Sequence, residues 1–210
     1  MRGVDLDVPA GRYAAVIGRS GSGKSTLMAM IGGLSRPTTG WILIDGADLW
    51  SKSDNAMARF RNQRIGYIFQ FASLLPTLSL IANVALPALL YRDGTASDPF
   101  GRAAELLADV GLGSHFDAYP LEISAGEQRR AVIARALING PRLLLADEPT
   151  SDLDEQTEQE IMALLVTVNR KRKTTLVLVT HNLALASDAE QIVQIADGKI
   201  TQVAANAKNE

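Results

Sequence analysis

Apolar positions along the chain fall into two patterns. Three short runs are apolar almost without interruption: RYAAVI (residues 12–17), RLLLAD (142–147) and TTLVLVT (174–180). A strand with one wet face alternates apolar and polar residues, so these read as strands covered on both faces. Between the last two, Ile161, Leu164, Leu165 and Val168 keep the spacing of a helix with a single apolar face. Strand, helix and strand in that order form a βαβ unit, which predicts an α/β fold with a parallel core sheet. Two further segments, WILIDG (41–46) and QIVQIADGKITQV (191–203), read as antiparallel, the second reversing at Asp197 and Gly198. From about 71 to 137 the periodicity is helical, and RAAELLADVG (102–111) closes on Gly111 as a helix C-terminal cap. The pattern predicts one domain over 1–210, with a core lobe of about 1–70 and 138–210 and a helical lobe of about 71–137 inserted into it. The basic run at 170–173 closes the helix before the last core strand, where cations meet the negative end of the helix dipole.

Composition narrows the function classes. A chain of 210 residues buries about 70 % of the surface its unfolded form exposes, enough for one substantial core. Its 21 basic and 23 acidic side chains are interspersed, for a formal charge of −2, so nucleic acid is not an expected partner. The absence of cysteine excludes disulfides, thiolate metal sites and cysteine nucleophiles, and fits a cytoplasmic protein. The first residues lack the charged-then-apolar pattern of a signal peptide. Residues 65–91 carry no charge and raise the question of a membrane span. Pro76, Pro87, Gln70, Thr77, Ser79 and Asn83 interrupt that segment, each at a cost in lipid, so it reads instead as a surface that docks against another protein.

The chemistry begins directly after the first apolar run. GRSGSGKST (18–26) lies between that strand and a helical pattern, and Gly18, Gly23, Lys24 and Ser25 occupy the fixed positions of G-x-x-x-x-G-K-[ST]. Glycines are needed there because the backbone must curl until successive N–H groups point inward at anionic oxygens. The helix that starts near Ser25 adds the positive end of its dipole. Lys24 then serves as a point charge on the β and γ phosphates, and the Ser25 hydroxyl as a Mg²⁺ ligand.

Two more constellations follow. LLLADEP (143–149) is an apolar strand ending in acids: Asp147 fits the carboxylate that holds magnesium, and Glu148 could orient and deprotonate an attacking water. The alternative is that both acids cap a helix after Pro149. In ISAGEQRRAVIARAL (123–137), Ser124 with Glu127 three residues on is a capping box, and the same helix start could equally face a phosphate.

Together these motifs resemble the nucleotide-binding subunit of ABC transporters, over about residues 3–203. GRSGSGKST is similar to its Walker A, LLLADE to its Walker B and ISAGEQ to its signature motif. Gln70 in YIFQ matches the Q-loop glutamine, SDLD (151–154) the D-loop, and His181 in VTHN the switch histidine. The resemblance implies a P-loop NTPase that binds ATP and Mg²⁺. ATP would lie on Gly18, Ser20, Gly21, Ser22, Gly23, Lys24, Ser25, Thr26 and Asp147, with Ser25, Gln70 and Asp147 as the magnesium set. Glu148, His181 and Gln70 would be catalytic. Two copies would pack head to tail, so that Ser124, Ala125, Gly126, Glu127 and Asp154 of one face the nucleotide of the other. A membrane permease would dock after Gln70, leaving the subunit peripheral on the cytoplasmic face of the membrane. LLPTLSLIANVALP (74–87) and WILIDGADLW (41–50) most resemble the lipoprotein-release, macrolide-export and cell-division group. The competing readings are an ABC-type ATPase that drives a signalling or cell-envelope event through a permease-like partner, and a nucleotide-binding module with little turnover. A GTPase is disfavoured because no Asn-Lys-x-Asp element follows.

The chain departs from the family pattern in two places. The family carries a first antiparallel strand and an adenine-stacking aromatic some twenty or more residues before the phosphate loop. This chain starts too late to include them, which implies a truncated start or another hold on adenine; Tyr13 lies too close to the loop to substitute. Ala125 stands where the signature has glycine, and its methyl group could crowd the approach to the partner's phosphate.

Overall fold

The uninterrupted apolar runs become neighbouring strands. In the computed structural model, which describes residues 1–90 and 98–206, the chain forms β1 (Tyr13–Ile17), α1 (Lys24–Ile31), β2 (Leu43–Ile44), β3 (Ala47–Asp48), α2 (Asp54–Arg64), β4 (Ile65–Ile68), α3 (Leu80–Leu90) and α4 (Pro99–Asp109). It continues through α5 (Ala125–Leu137), β5 (Leu143–Asp147), α6 (Glu155–Arg172), β6 (Thr175–Thr180), α7 (Leu183–Ala186), β7 (Gln191–Ala196) and β8 (Lys199–Ala205). The main sheet has the order β4-β5-β6-β1-β7-β8, parallel throughout except where β8 folds back on β7. β2 and β3 form a separate antiparallel ladder.

The sheet is covered on both faces, which is why its strands do not alternate with polar residues. Tyr13 and Ala15, Leu144 and Ala146, and Leu176 and Leu178 pack on one side, together with apolar residues of α3, α4, α5 and α6. Val16, Leu143 and Leu145, and Val177 and Val179 pack on the other, against Leu27 and Met28 of α1. Tyr13 is 2 % exposed and its hydroxyl donates to the Leu185 carbonyl, so the ring belongs to the core and is not free to stack on a base.

The region from 71 to 137 is helical where it is described. α4 ends in a Schellman motif, with Gly111 at φ 81°, Leu112 N–H donating to Leu107 O, and Gly111 N–H donating to Ala108 O. The uncharged segment divides into β4, an irregular stretch and α3; Tyr91, its last residue, lies outside the described residues. Among the described residues no helix is long and apolar enough to cross a membrane. Asn83, fully buried, accepts from Leu75 N–H and donates to Leu75 O, Leu78 O and Ser79 O, so its amide organises the loop before α3.

Three features differ from the sequence reading. The helix α2 and the strand β4 are additions. The hairpin at Asp197 (φ 49°) and Gly198 (φ 75°) forms as expected, but β7 also pairs in parallel with β1 and so extends the core sheet. The helix after Pro149 does not start there: Asp154 is the N-cap of α6 and accepts from Thr157 N–H. Asp147 and Glu148 are therefore not its caps.

Candidate functional site

The carboxyl ends of β1, β5 and β6 converge on one edge of the sheet, where open α/β folds place their ligands. The loop after β1 is shaped by what glycine lacks. A Cβ on Gly18 would stand 2.3 Å from the Ile195 carbonyl oxygen, and Gly21 and Gly23 adopt φ of 77° and 107°, values that side chains resist. Gly23 is the N-cap of α1, with no side chain capping the helix and no acid in its first turn. The N–H groups of that first turn are thus left for an outside acceptor, at the positive end of the helix dipole. Lys24 is 6 % exposed, and its ammonium donates to Gly18 O (2.9 Å) and Arg19 O (3.0 Å), arching the side chain back over the loop. Ser22 is buried, and its hydroxyl has no protein partner among the described residues. Ser20, Gly21, Ser25 and Thr26 are exposed.

Asp147 ends β5 half-buried, with the exposed Ser25 near enough to act on its carboxyl. Burial pushes its carboxyl above the ordinary carboxylate range; Ser25 opposes the shift, the Glu148 charge adds to it and Lys24 opposes it. Tyr67 of β4 stands close enough for its phenol to be pushed up to about 12, first by burial and then by the Asp147 charge. An acid whose folded-state pKa is raised costs stability while ionised, and the cost disappears as pH falls through that pKa. Asp147→Asn is therefore expected to melt above the parent in nucleotide-free protein at neutral pH, with the gap closing as pH is lowered and Mg²⁺-dependent turnover lost. Melting curves across a pH series check the sign.

Glu148 has a left-handed backbone, φ 44°, which costs a residue with a side chain roughly 1–2 kcal/mol. Its N–H continues the ladder to Val179 O at 2.9 Å while its side chain turns out of the strand. Its carboxylate lies 3.5 Å from His181 Nδ1, just beyond β6; the two side chains are 22 % and 67 % exposed. The edge thus assembles a cradle of N–H donors, an ammonium, a hydroxyl–carboxylate pair and a carboxylate–imidazole pair. The oxygen donors of Ser25 and Asp147 suit a hard divalent cation such as Mg²⁺.

Gln70 follows β4, whose carboxyl end lies beside that of β5 on the same edge, and the other sequence-derived residues occupy a different surface. Gln70 is exposed beyond β4. Ser124 is exposed and caps α5 through a capping box: Glu127 N–H donates to Ser124 Oγ, and Glu127 Oε2 accepts from Ser124 N–H (2.8 Å) and Oγ (2.7 Å), which holds the Glu127 carboxyl below its usual range. Ala125 is exposed, and a Cβ on Gly126 would lie 2.7 Å from Thr157 Cγ2 of α6. Asp154 is exposed and holds the Thr157 hydroxyl. The 124–127 segment and Asp154 therefore form one continuous surface around Thr157.

Sequence reasoning missed Arg129. This buried arginine of α5 donates to Phe69 O (2.7 Å) and Gln70 O (2.6 Å), so the helix that begins at Ser124 grips the backbone of Gln70. The available signal was a cation placed three and four residues before Val132 and Ile133 on the apolar face of the helix.

With the geometry established, similarity to known proteins becomes informative. Residues 1–151 match the family model described as ABC transporter. The lipoprotein-releasing system ATP-binding protein LolD of Syntrophotalea carbinolica is 46 % identical over 198 residues, covering 94 % of this chain and 87 % of that protein. The macrolide export ATP-binding/permease protein MacB of Rhodopirellula baltica is 44 % identical over 96 % of this chain, which spans 30 % of MacB. Among solved structures, the ATP-binding cassette MJ0796, a dimer in a post-hydrolysis state bound to ADP and Pi, superposes with a TM-score of 0.87 at 36 % identity, covering 96 % of this chain and 88 % of that one.

Proposed function

The chain belongs to the ABC transporter family as an ATP-binding and ATP-hydrolysing subunit, and from that premise we propose that it powers a membrane permease of the lipoprotein-release or macrolide-export type. The observation that carries the reading of its site is the approach of Glu148 to His181 on the same sheet edge as the Lys24 loop, where β5 also ends in Asp147.

Lys24, the Ser22 hydroxyl and the N–H groups of Gly18, Ser20, Gly21, Gly23, Ser25 and Thr26 cradle the triphosphate. Ser25 and Gln70, with Asp147, would hold Mg²⁺, which when bound would supply positive charge to neutralise the triphosphate. Glu148 takes the proton of a water whose oxygen attacks the γ-phosphorus. The bond to the β,γ-bridging oxygen breaks, that oxygen keeps the electron pair, and ADP and phosphate result. His181 holds the γ-phosphate in line while the proton moves.

Dimeric neighbours such as MJ0796 support a pair of copies, which we read as packed head to tail. In it Ser124, Ala125, Gly126, Glu127 and Asp154 of each copy reach the nucleotide of the other. ATP binds the closed pair better than the open one, and only that difference can do work on a bound permease. Gln70 and the uncharged segment after it form the docking surface, and the subunit is peripheral on the cytoplasmic face of the membrane.

Ala125 is exposed at the start of α5, on the surface proposed to face the second copy, so its methyl group is not needed by the fold. Ala125→Gly is expected to leave nucleotide binding by the monomer unchanged and to raise ATPase activity several-fold; equal rates would remove the methyl as a constraint. The reading as a whole is tested by capturing the intact complex from native membranes. An integral membrane permease should co-purify, and capture without one contradicts the proposal.

A further inference from the structure

The contact between Glu148 and His181 is too weak to hold itself together. At 3.5 Å, with the imidazole 67 % exposed, such a pair is only weakly attractive. Both residues sit on surface loops, one between β5 and α6 and the other between β6 and α7, and α7 is only four residues long. A third side chain ties the loops together. Glu158 of α6 accepts from the Thr150 hydroxyl at 2.9 Å through Oε2 and from the Asn182 amide at 3.1 Å through Oε1. Thr150 is two residues past Glu148, and Asn182 is the residue after His181. Glu158 itself rides on a rigid support, because the next turns of α6 bury Ile161, Leu165 and Val168 in the core.

We propose that Glu158 is a positioning residue for ATP hydrolysis: a carboxylate clip that sets the distance between Glu148 and His181 by holding both loops to α6. Charge-assisted hydrogen bonds are the strong class, and each oxygen of this carboxylate serves one loop. The clip also lies one helical turn beyond Asp154, whose carbonyl accepts from Glu158 N–H at 2.8 Å. Engagement of Asp154 by a second copy would therefore bear on the turn that carries the clip. This inference rests on the reading of Glu148 and His181 as the hydrolytic pair.

Its chemistry allows a swap test in the purified full chain, with kcat and KM for Mg-ATP measured for each variant. Glu158→Ala removes both bonds and is expected to lower kcat about tenfold with KM little changed, since it displaces reacting groups without touching the phosphate cradle. Asn182→Asp keeps the acceptor that caps α7 at Ala184 N–H but sets two carboxylates against each other, and should lower kcat at least as far. Adding Glu158→Gln to Asn182→Asp reverses the polarity of that bond while still accepting from Thr150, and should bring kcat back to within about threefold of the parent. Full parental kcat in Glu158→Ala and Asn182→Asp, or a double variant no better than Asn182→Asp, overturns the clip. Glu148→Gln and His181→Ala run in parallel separate the two ways to fail. If they lose turnover while the swap series stays flat, only the clip is wrong; if both retain it, the reading of the hydrolytic pair is wrong and the clip falls with it.

Discussion

Glu148→Gln is expected to lower steady-state ATP turnover by about 10²- to 10⁴-fold while leaving nucleotide affinity close to the parent's. The amide keeps the size and the strained backbone position of Glu148, so the fold around φ 44° and the ladder bond to Val179 persist. What disappears is the capacity to take a proton beside His181. Affinity survives because the phosphate cradle is built from the 18–26 loop and Lys24, which do not depend on that carboxylate. Phosphate release together with nucleotide titration separates the two quantities. A variant that hydrolyses at the parental rate would remove Glu148 as the base.

Lys24→Ala attacks the other half of the site and should reverse the signature, with affinity lost first. The ammonium is buried and already oriented by two loop carbonyls, so little further ordering is needed to meet a phosphate oxygen. A hydrogen bond to a charged group is worth about 1.5–3 kcal/mol, so the Kd for ATP is expected to rise roughly 10- to 150-fold by calorimetric titration. Truncation also frees Gly18 O and Arg19 O, so part of the loss will reflect a looser loop. An affinity equal to the parent's would mean that the loop does not hold the triphosphate.

The parts of this molecule legible in its sequence are those fixed by local chemistry. The 18–26 loop, the Ser124–Glu127 capping box, the Gly111 helix end and the Asp197–Gly198 turn each depend on residues a few positions apart, and each has the predicted geometry. The strands β1, β5 and β6 were readable because burial on both faces leaves no polar alternation. The strand β4 was hidden inside the uncharged segment, where IGYI has no period of its own and gains its identity only by pairing with β5. The helix α2 was hidden for the opposite reason: it is polar nearly all round, and only Met57 is fully buried. The role of Asp147 and Glu148 was ambiguous in sequence, because an acid pair before a helix can always be a cap; six residues between Glu148 and α6 remove that option.

Within the site, the same division holds. Lys24, Ser25, Asp147 and Glu148 announce themselves by motif, whereas Arg129 and Glu158 act at long range. Arg129 reaches back 59 and 60 residues to Gln70 and Phe69, and Glu158 forward 24 residues to Asn182. Spacing marks Arg129 as lying on an apolar face, but it names the partner of neither residue. Their partners are backbone carbonyls and a loop amide, which only the fold brings into range.

Two copies of this chain are expected to close around ATP held by the Lys24 loop of one and the Ser124 surface of the other. The most direct test is the mass in solution of Glu148→Gln protein, expected to bind ATP but barely consume it, measured by sedimentation with and without Mg-ATP. Protomers are expected without nucleotide and a species of twice the protomer mass at saturating ATP; protomers alone in both conditions would contradict a shared site.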